Sequence, residues 1–256
     1  TDTVFRIYYN GTTTGDYADN ATYGAEAVWA DYTVVWHMDA VAQTDSAGNI
    51  PDSTPTGSFP DPSVNSAGNV VFGDTNDDIT VSVSDEGSGA DEGSYTSWSV
   101  MTYFNADGPG GGRVNVSNGG FQSIQVNFTP STGSTSVRSG TGSLVEFGTS
   151  YAGAGDRLVH ATYDNASENI FLYINGEFIG AASGTAPTNI WDGWEVYRLQ
   201  GEHFESRGAQ RYISEAYINA QWVNLSTTTD FYTVNATSGP TVWNSTDWTD
   251  YDTITI

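Results

Sequence analysis

Oxygen ligands alternate in residues 70–87, VVFGDTNDDITVSVSDEG. Asp74, Asn76 and Asp78 fall at every second position, and Asp85 closes a twelve-residue span. Such spacing begins a calcium loop, in which carboxylate and amide oxygens ring a hard cation. The rest of that loop is missing. Its sixth position must turn sharply and takes Gly, and its twelfth takes a bidentate Glu; here they are Ile79 and Asp85. Ile79, Val81 and Val83 instead alternate with Thr80, Ser82 and Ser84, the period of a half-buried strand. The expectation is a β-hairpin whose turn carries the acid.

Paired carboxylates would serve a second chemistry. A retaining glycosidase holds two acids about 5–5.5 Å apart across the scissile bond. On a strand this needs acids at i and i+2 or i+4, which share a face. Asp85-Glu86 and Asp91-Glu92 are adjacent pairs among Gly and Ser, and Glu195 and Glu215 stand alone on their strands. The histidines His37, His160 and His203 form no H-E-x-x-H or related metal spacing. There is no Gly-x-Ser-x-Gly elbow, and the Gly-rich GPGGGR at 108–113 lacks the Lys of a phosphate loop and reads as a hairpin loop. These absences argue against catalysis and keep a polysaccharide hydrolase or lyase as an alternative only.

Binding has the fuller inventory. The chain has 8 Trp and 15 Tyr, more than one core requires. Aromatic faces with polar tips suit sugar C–H surfaces, while carboxylates and amides suit the hydroxyls. NIWDGWEVYRLQGEHFESRG, residues 189–208, groups Trp191, Trp194, Tyr197 and His203 with Asp192, Glu195 and Glu202. Those four residues are read as contacts to a ligand or partner; core packing by Trp194 and Tyr197 is the competing reading.

The elements that would carry these residues are short strands. Apolar alternation marks 34–38, 70–72, 79–83, 97–104, 113–116, 124–128, 144–147, 158–163, 170–174, 177–180, 195–199 and 212–219, with Gly and Asx turns between. In NIFLYINGEFIG, two β-rich runs flank Asn175-Gly176, the preferred pair for a two-residue type I′ turn. Helical period is weak and confined to 18–29 and 229–236. Many short antiparallel strands with few helices predict an all-β sandwich or barrel. Three parts are expected: a lead-in at 1–33, the strand-dense body at 34–236, and a tail at 237–256 after Gly239-Pro240. The tail ends in TITI, which alternates as a strand would. It could close the sandwich or extend the sheet edge of another copy, giving a homo-oligomer or a structural subunit of a filament or virion.

Several segments are similar to one family. VVFGDTNDDITVSV, YTSWSVMTYFNAD, DRLVHATYDNASENIFLYINGEFIG and RYISEAYINAQW resemble, in order, strands of concanavalin A-like, laminin-G-type domains. The resemblance covers most of 34–236. It implies a two-sheet antiparallel jelly-roll sandwich with one concave face, shared by lectins, adhesion modules and glucanases, so the fold alone selects no activity. It also places His160 on a core strand as a hydrogen-bonded packing residue. Relatives often hold calcium, and the matching positions here are Asp39 and Glu215, the latter on the closing strand 212–219. The lead-in, from FRIYYN to VVWHMDA and DSAGNIPDST, is similar to a junction in extracellular proteins that usually carry another β-domain upstream. That likeness, with a start lacking Met, implies trimming near residue 1.

Charge sets the surroundings. Acids number 31 against 7 bases, for a net charge of −24; every base is Arg and Lys is absent. The acids are spread from Asp2 to Asp252, so they coat the folded surface. Such a surface repels itself in dilute buffer, and molar salt cuts the Debye length to about 3 Å. The expectation is a halophilic protein, archaeal or from an archaeal virus. The charge opposes nucleic acid and anionic membranes, and no apolar run reaches the length of a transmembrane helix. Cysteine is absent. N-x-S/T sequons at Asn10, Asn20, Asn115, Asn165, Asn224, Asn235 and Asn244 point to a glycosylated extracellular surface; another at Asn127 is followed by Pro130. Taken together, the residues predict a non-catalytic extracellular module for adhesion, glycan recognition or assembly, on a cell surface or virion.

Overall fold

The computed structural model describes residues 4–7, 29–48, 53–55, 62–73, 78–82, 96–106, 112–118, 121–129, 131–139, 143–148, 155–186, 193–197, 200–226 and 252–255. At 4–7, 54–55, 78–82, 106, 112–118, 121–123, 193, 195, 197 and 252–255 it describes the backbone alone. Alternating apolar and polar residues fold into two antiparallel sheets, because each strand has one face to hide. Strands are numbered in chain order. The first sheet has seven strands. From edge to edge these are β11 (Val145–Phe147), β10 (Ser134–Ser139), β9 (Phe121–Thr129), β8 (Gly112–Asn118), β15 (Gly193–Tyr197), β6 (Asp78–Ser82) and β3 (Thr54–Pro55). The second has eight. In order these are β14 (Glu177–Ser183), β13 (Asn169–Ile174), β12 (Gly155–Asp164), β7 (Trp98–Ala106), β16 (Gly201–Ala209), β5 (Val70–Phe72) and β4 (Ser63–Val64), with β2 (Val34–Trp36) also paired to β16. This is the all-β jelly-roll sandwich the sequence predicts.

The core lies between the sheets. Ile124, Val126, Phe128, Val137, Trp194 and Val196 from the first sheet meet Trp36, Phe72, Trp98, Phe104, Tyr163 and Leu172 from the second. Burying each large side chain contributes about 1.5–3 kcal/mol. The Trp98 indole N–H donates to Ser139 Oγ (2.9 Å), and Ser139 Oγ donates to the Thr185 carbonyl (2.6 Å), a polar tie between the sheets. At the turn after β13, Asn175 and Gly176 both have positive φ, +53° and +77°, as a type I′ hairpin requires.

Two expected hairpins are crossovers instead. β5 and β6 lie in different sheets, so the acidic run between them joins the layers rather than turning a hairpin. β7 and β8 also lie in different sheets, and GPGGGR spans that gap. Alternation marks a strand but not its partner, and two apolar faces can be buried against each other as well as side by side.

The expected closing strand 212–219 is overturned. Ile213 adds one buried residue, and the chain then enters helix α1 (Glu215–Ser226). The amides of Tyr217 and Ile218 both donate to the Ser214 carbonyl at 3.0 Å, starting the first turn. Ile218 is buried, and Trp222 and Leu225 pack on a cluster with Met101, Tyr103 and Leu158. Spacing of i, i+4 and i+7 is a helical stripe; the aromatic and β-branched residues among 212–219 imitate strand propensity, and tertiary burial overrides it. α1 therefore covers the outer face of the eight-stranded sheet, and β16 takes the interior strand position.

The tail strand finds a partner within the chain. β17 (Asp252–Thr255) pairs antiparallel with β1 (Val4–Ile7), so Thr253 and Ile254 of TITI stand opposite Arg6 and Phe5. The helical periods at 18–28 and 229–236 lie outside the described residues, and Trp29 stands in a turn.

Candidate functional site

The aromatic group expected at 189–208 does not form one surface. The segment holds β15 and β16. Trp194 is buried in the main core. His203 is fully buried, its ring 4.4 Å from that of Phe72 and 5.7 Å from that of Phe104. Alternation on these strands turns both residues inward, which removes them from any contact with an outside partner. Trp191 lies outside the described residues, and Tyr197 is described by its backbone only.

Asp39 is exposed in the bend after β2, and Glu215 is exposed at the start of α1 rather than on a strand. Among the described residues no three His, Asp or Glu side chains gather where a metal could sit. The buried carboxylates in the described set are Asp45 and Glu205, and both are committed. Asp45 Oδ1 accepts from the Val35 amide (2.8 Å) and the Ala47 amide (3.1 Å), capping the free edge of β2. Glu205 pairs with Arg207.

The Glu205–Arg207 pair belongs to a polar cluster beneath α1. The Arg207 guanidinium lies 4.5 Å from the Trp29 ring centre and 5.5 Å from that of Tyr32, within cation–π range. Tyr32 Oη donates to Tyr217 Oη (3.1 Å) and accepts from Gln221 Nε2 (2.9 Å). Burial opposes the Arg207 charge, yet Glu205 and Tyr32 together hold its pKa above the ordinary value. Burial also pushes the Tyr32 phenol up. His160 sits on the same face of the sheet, opposite Met101 and Tyr173. It is buried, as expected, but neither ring nitrogen has a hydrogen-bond partner among the described residues, which corrects the hydrogen-bonded role. Burial first, and Arg207 second, lower its pKa to about 3. These groups fasten the helix to the sheet.

The seven-stranded sheet presents a different arrangement on its outer side. Its apolar residues are consumed by the core, so the alternate positions are polar. Pairing registers set these into rows. One runs Arg138 on β10, Gln125 on β9, Asn115 on β8, Glu195 on β15, Thr80 on β6 and Thr54 on β3. The next runs Glu146 on β11, Ser136, Asn127, Arg113, Tyr197 and Asp78. Paired Cβ atoms in such rows stand about 5 Å apart, the scale of neighbouring hydroxyls on a sugar chain. Gln125 Nε2 donates to Asn127 Oδ1 (2.6 Å), Asn127 Nδ2 to Ser136 Oγ (2.9 Å), and Ser134 Oγ to Glu146 Oε2 (3.1 Å). Gln125 is only 5% exposed. One end of its amide is held by Asn127, while Oε1 is buried with no partner among the described residues. Beside it, Arg138 Nε is likewise buried without a partner among the described residues.

Sequence reasoning marked β8 and β9 but missed β10, whose STSVRS has a single large apolar residue. The alternation of Gln125 and Asn127 with Ile124, Val126 and Phe128 was the signal that a polar row faced outward.

No family model and no curated protein match the sequence. Solved structures do match in fold. The binding domain of botulinum neurotoxin serotype D superposes with a TM-score of 0.58 at 12% identity, over 79% of this chain and 53% of that one. A botulinum neurotoxin type C structure, described through cell entry dependent on two ganglioside molecules, gives 0.55 at 11%, over 77% and 52%. The neurotoxin DC binding domain in complex with rat synaptotagmin II gives 0.55 at 12%, over 78% and 52%. The chain spans about half the length of these structures, and the likeness establishes a shared β-sandwich fold.

Proposed function

We propose that this chain is a non-catalytic recognition module that holds glycans on the polar outer face of its seven-stranded sheet, displayed outside the cell. The observation that carries the reading is the pair of cross-strand polar rows, with Gln125, Asn127 and Ser136 joined by side-chain hydrogen bonds. The neurotoxin neighbours, described as binding domains and by interactions with gangliosides and synaptotagmin, lend the fold a precedent for surface recognition. Extracellular display is supported by the sequons, and a saline setting by the net charge of −24. Calcium at Asp39 and Glu215 enters the proposal as a stabiliser to be tested by EDTA at constant salt.

A glycan array in molar NaCl tests the reading. Wild type should bind a defined set of glycans, and Gln125→Ala with Asn127→Ala should abolish that binding while leaving the melting curve close to wild type. Binding that survives the double substitution would contradict it. The bound glycans should also be checked for cleavage; none is expected, and turnover would favour the hydrolase alternative. In the structural-subunit alternative, the two-stranded sheet of β17 with β1 would offer a remaining edge to another copy.

A further inference from the structure

The eight-stranded sheet carries a second surface, apart from the polar rows. β14 ends that sheet, and among the described residues no strand covers its far edge. Its sequence EFIGAAS has neither the Lys nor the Pro that commonly guards an edge. A bulge separates Phe178 from Gly180, and 180–183 then run in regular register. Beside this edge, on the outer face, stands a strip of rings. Phe178 is 48% exposed and Tyr212 is 37% exposed. Half-buried Phe171 lies between them, its ring centre 6.5 Å from that of Phe178 and 6.0 Å from that of Tyr212. Phe171 is paired with Ala181 of β14, whose short side chain leaves the ring reachable from the edge.

Carboxylates frame the strip. The Tyr173 ring lies 5.5 Å from that of Phe178. Its phenol is pushed up to about 12 by burial first, then by Tyr212 and Glu215, so the Glu215 carboxylate stands close to the rings. Exposed Glu177 begins β14. The arginines on this side are engaged, Arg211 with Asp31 at 3.0 Å and Arg207 with Glu205. A second copy of the chain would bring a net charge of −24 against −24, which repels. A cationic partner is attracted instead. An added strand pairs its backbone with a free edge and turns alternate side chains to one face. An Arg opposite Ala181 extends over it to Phe171 and Tyr212, where a guanidinium stacks on aromatic faces and Glu215 offsets its charge. We propose that the β14 edge and its aromatic strip receive an extended, arginine-bearing segment of a partner protein by strand addition. This surface lies on the opposite sheet from the glycan face and does not depend on it.

The test is fluorescence anisotropy with a labelled peptide that alternates Arg with Thr. In about 1 M NaCl the general attraction of an acidic surface is screened beyond about 3 Å, so contact rather than net charge is read. The Arg peptide is expected to bind about tenfold or more tightly than a counterpart with Gln in place of Arg, the scale of a cation–π stack removed from water. N-methylating the peptide backbone, which removes the donors a new strand needs, should abolish binding. Phe178→Ala and Tyr212→Ala leave every charge in place, and each should weaken binding severalfold; circular dichroism confirms that they fold. Equal binding of the Gln peptide, binding that survives N-methylation, or binding unchanged in both variants would overturn the proposal. Self-association in sedimentation that is lost in Phe178→Ala would also overturn it, by giving the edge to a second copy. None of these results bears on the glycan array.

Discussion

His160 and the Glu205–Arg207 pair show how one sheet face can be both polar and closed. His160 is held neutral, with its pKa near 3. Below the ordinary histidine value of about 6.5 the unfolded chain binds a proton that the folded chain refuses, so stability present above that pH is lost as pH falls toward 3. Between pH 6.5 and about 5, before most carboxylates titrate, this group should cost about 1.4 kcal/mol per pH unit. Chemical denaturation of His160→Leu across that window should show a shallower pH slope than wild type; an identical slope would refute the assignment. Breaking the ion pair acts differently. Glu205→Ala would strand the Arg207 charge under α1, and urea unfolding should report a loss of about 3–5 kcal/mol. At this scale the sequence was partly legible. His160 read as a core residue, but its lack of hydrogen bonds depends on Met101 and Tyr173, which pairing alone brings beside it. Trp194 and His203 read as a surface pair because their strands are rich in Gly and charge; only the register turns them inward.

At the scale of elements, the turn at 175–176 and the helix support one another. A Cβ on Gly176 would stand 3.1 Å from Trp222 Cβ and 3.1 Å from Asn219 Oδ1, and the residue's φ of +77° excludes most side chains. Gly176→Ala should therefore destabilise the fold by about 1–3 kcal/mol and loosen α1, read as lower helical ellipticity before global unfolding. Asn175 Oδ1 also accepts from the Leu158 amide at 2.9 Å, fixing the same turn to β12. This hairpin was legible because its signal is local: two residues and two flanking runs. The helix and the crossovers were not. α1 depends on a distant surface that buries Ile218, Trp222 and Leu225, and β5-to-β6 is a crossover because β16 and β15, more than a hundred residues away, claim the two strands for opposite sheets.

The whole molecule is governed by its charge. With a net charge of −24, like-charge repulsion should destabilise the sandwich at low ionic strength and fade as the Debye length shrinks. Thermal unfolding between about 0.05 M and about 3 M NaCl should show the melting temperature rising with salt; a flat response would remove the case for adaptation to brine. Sequon use should follow exposure. Asn165, in the exposed turn after β12, and Asn224, exposed on α1, can carry a glycan without covering the polar rows, whereas Asn115 stands within one. Peptide mass mapping of native material should find Asn115 bare. The most direct measurement of the central claim is chemical-shift mapping of the 27.4 kDa chain during titration with an array-selected glycan. The account predicts shifts concentrated on residues 124–128 and 134–138. Shifts centred on α1 or on the outer face of β13 and β14 would contradict it.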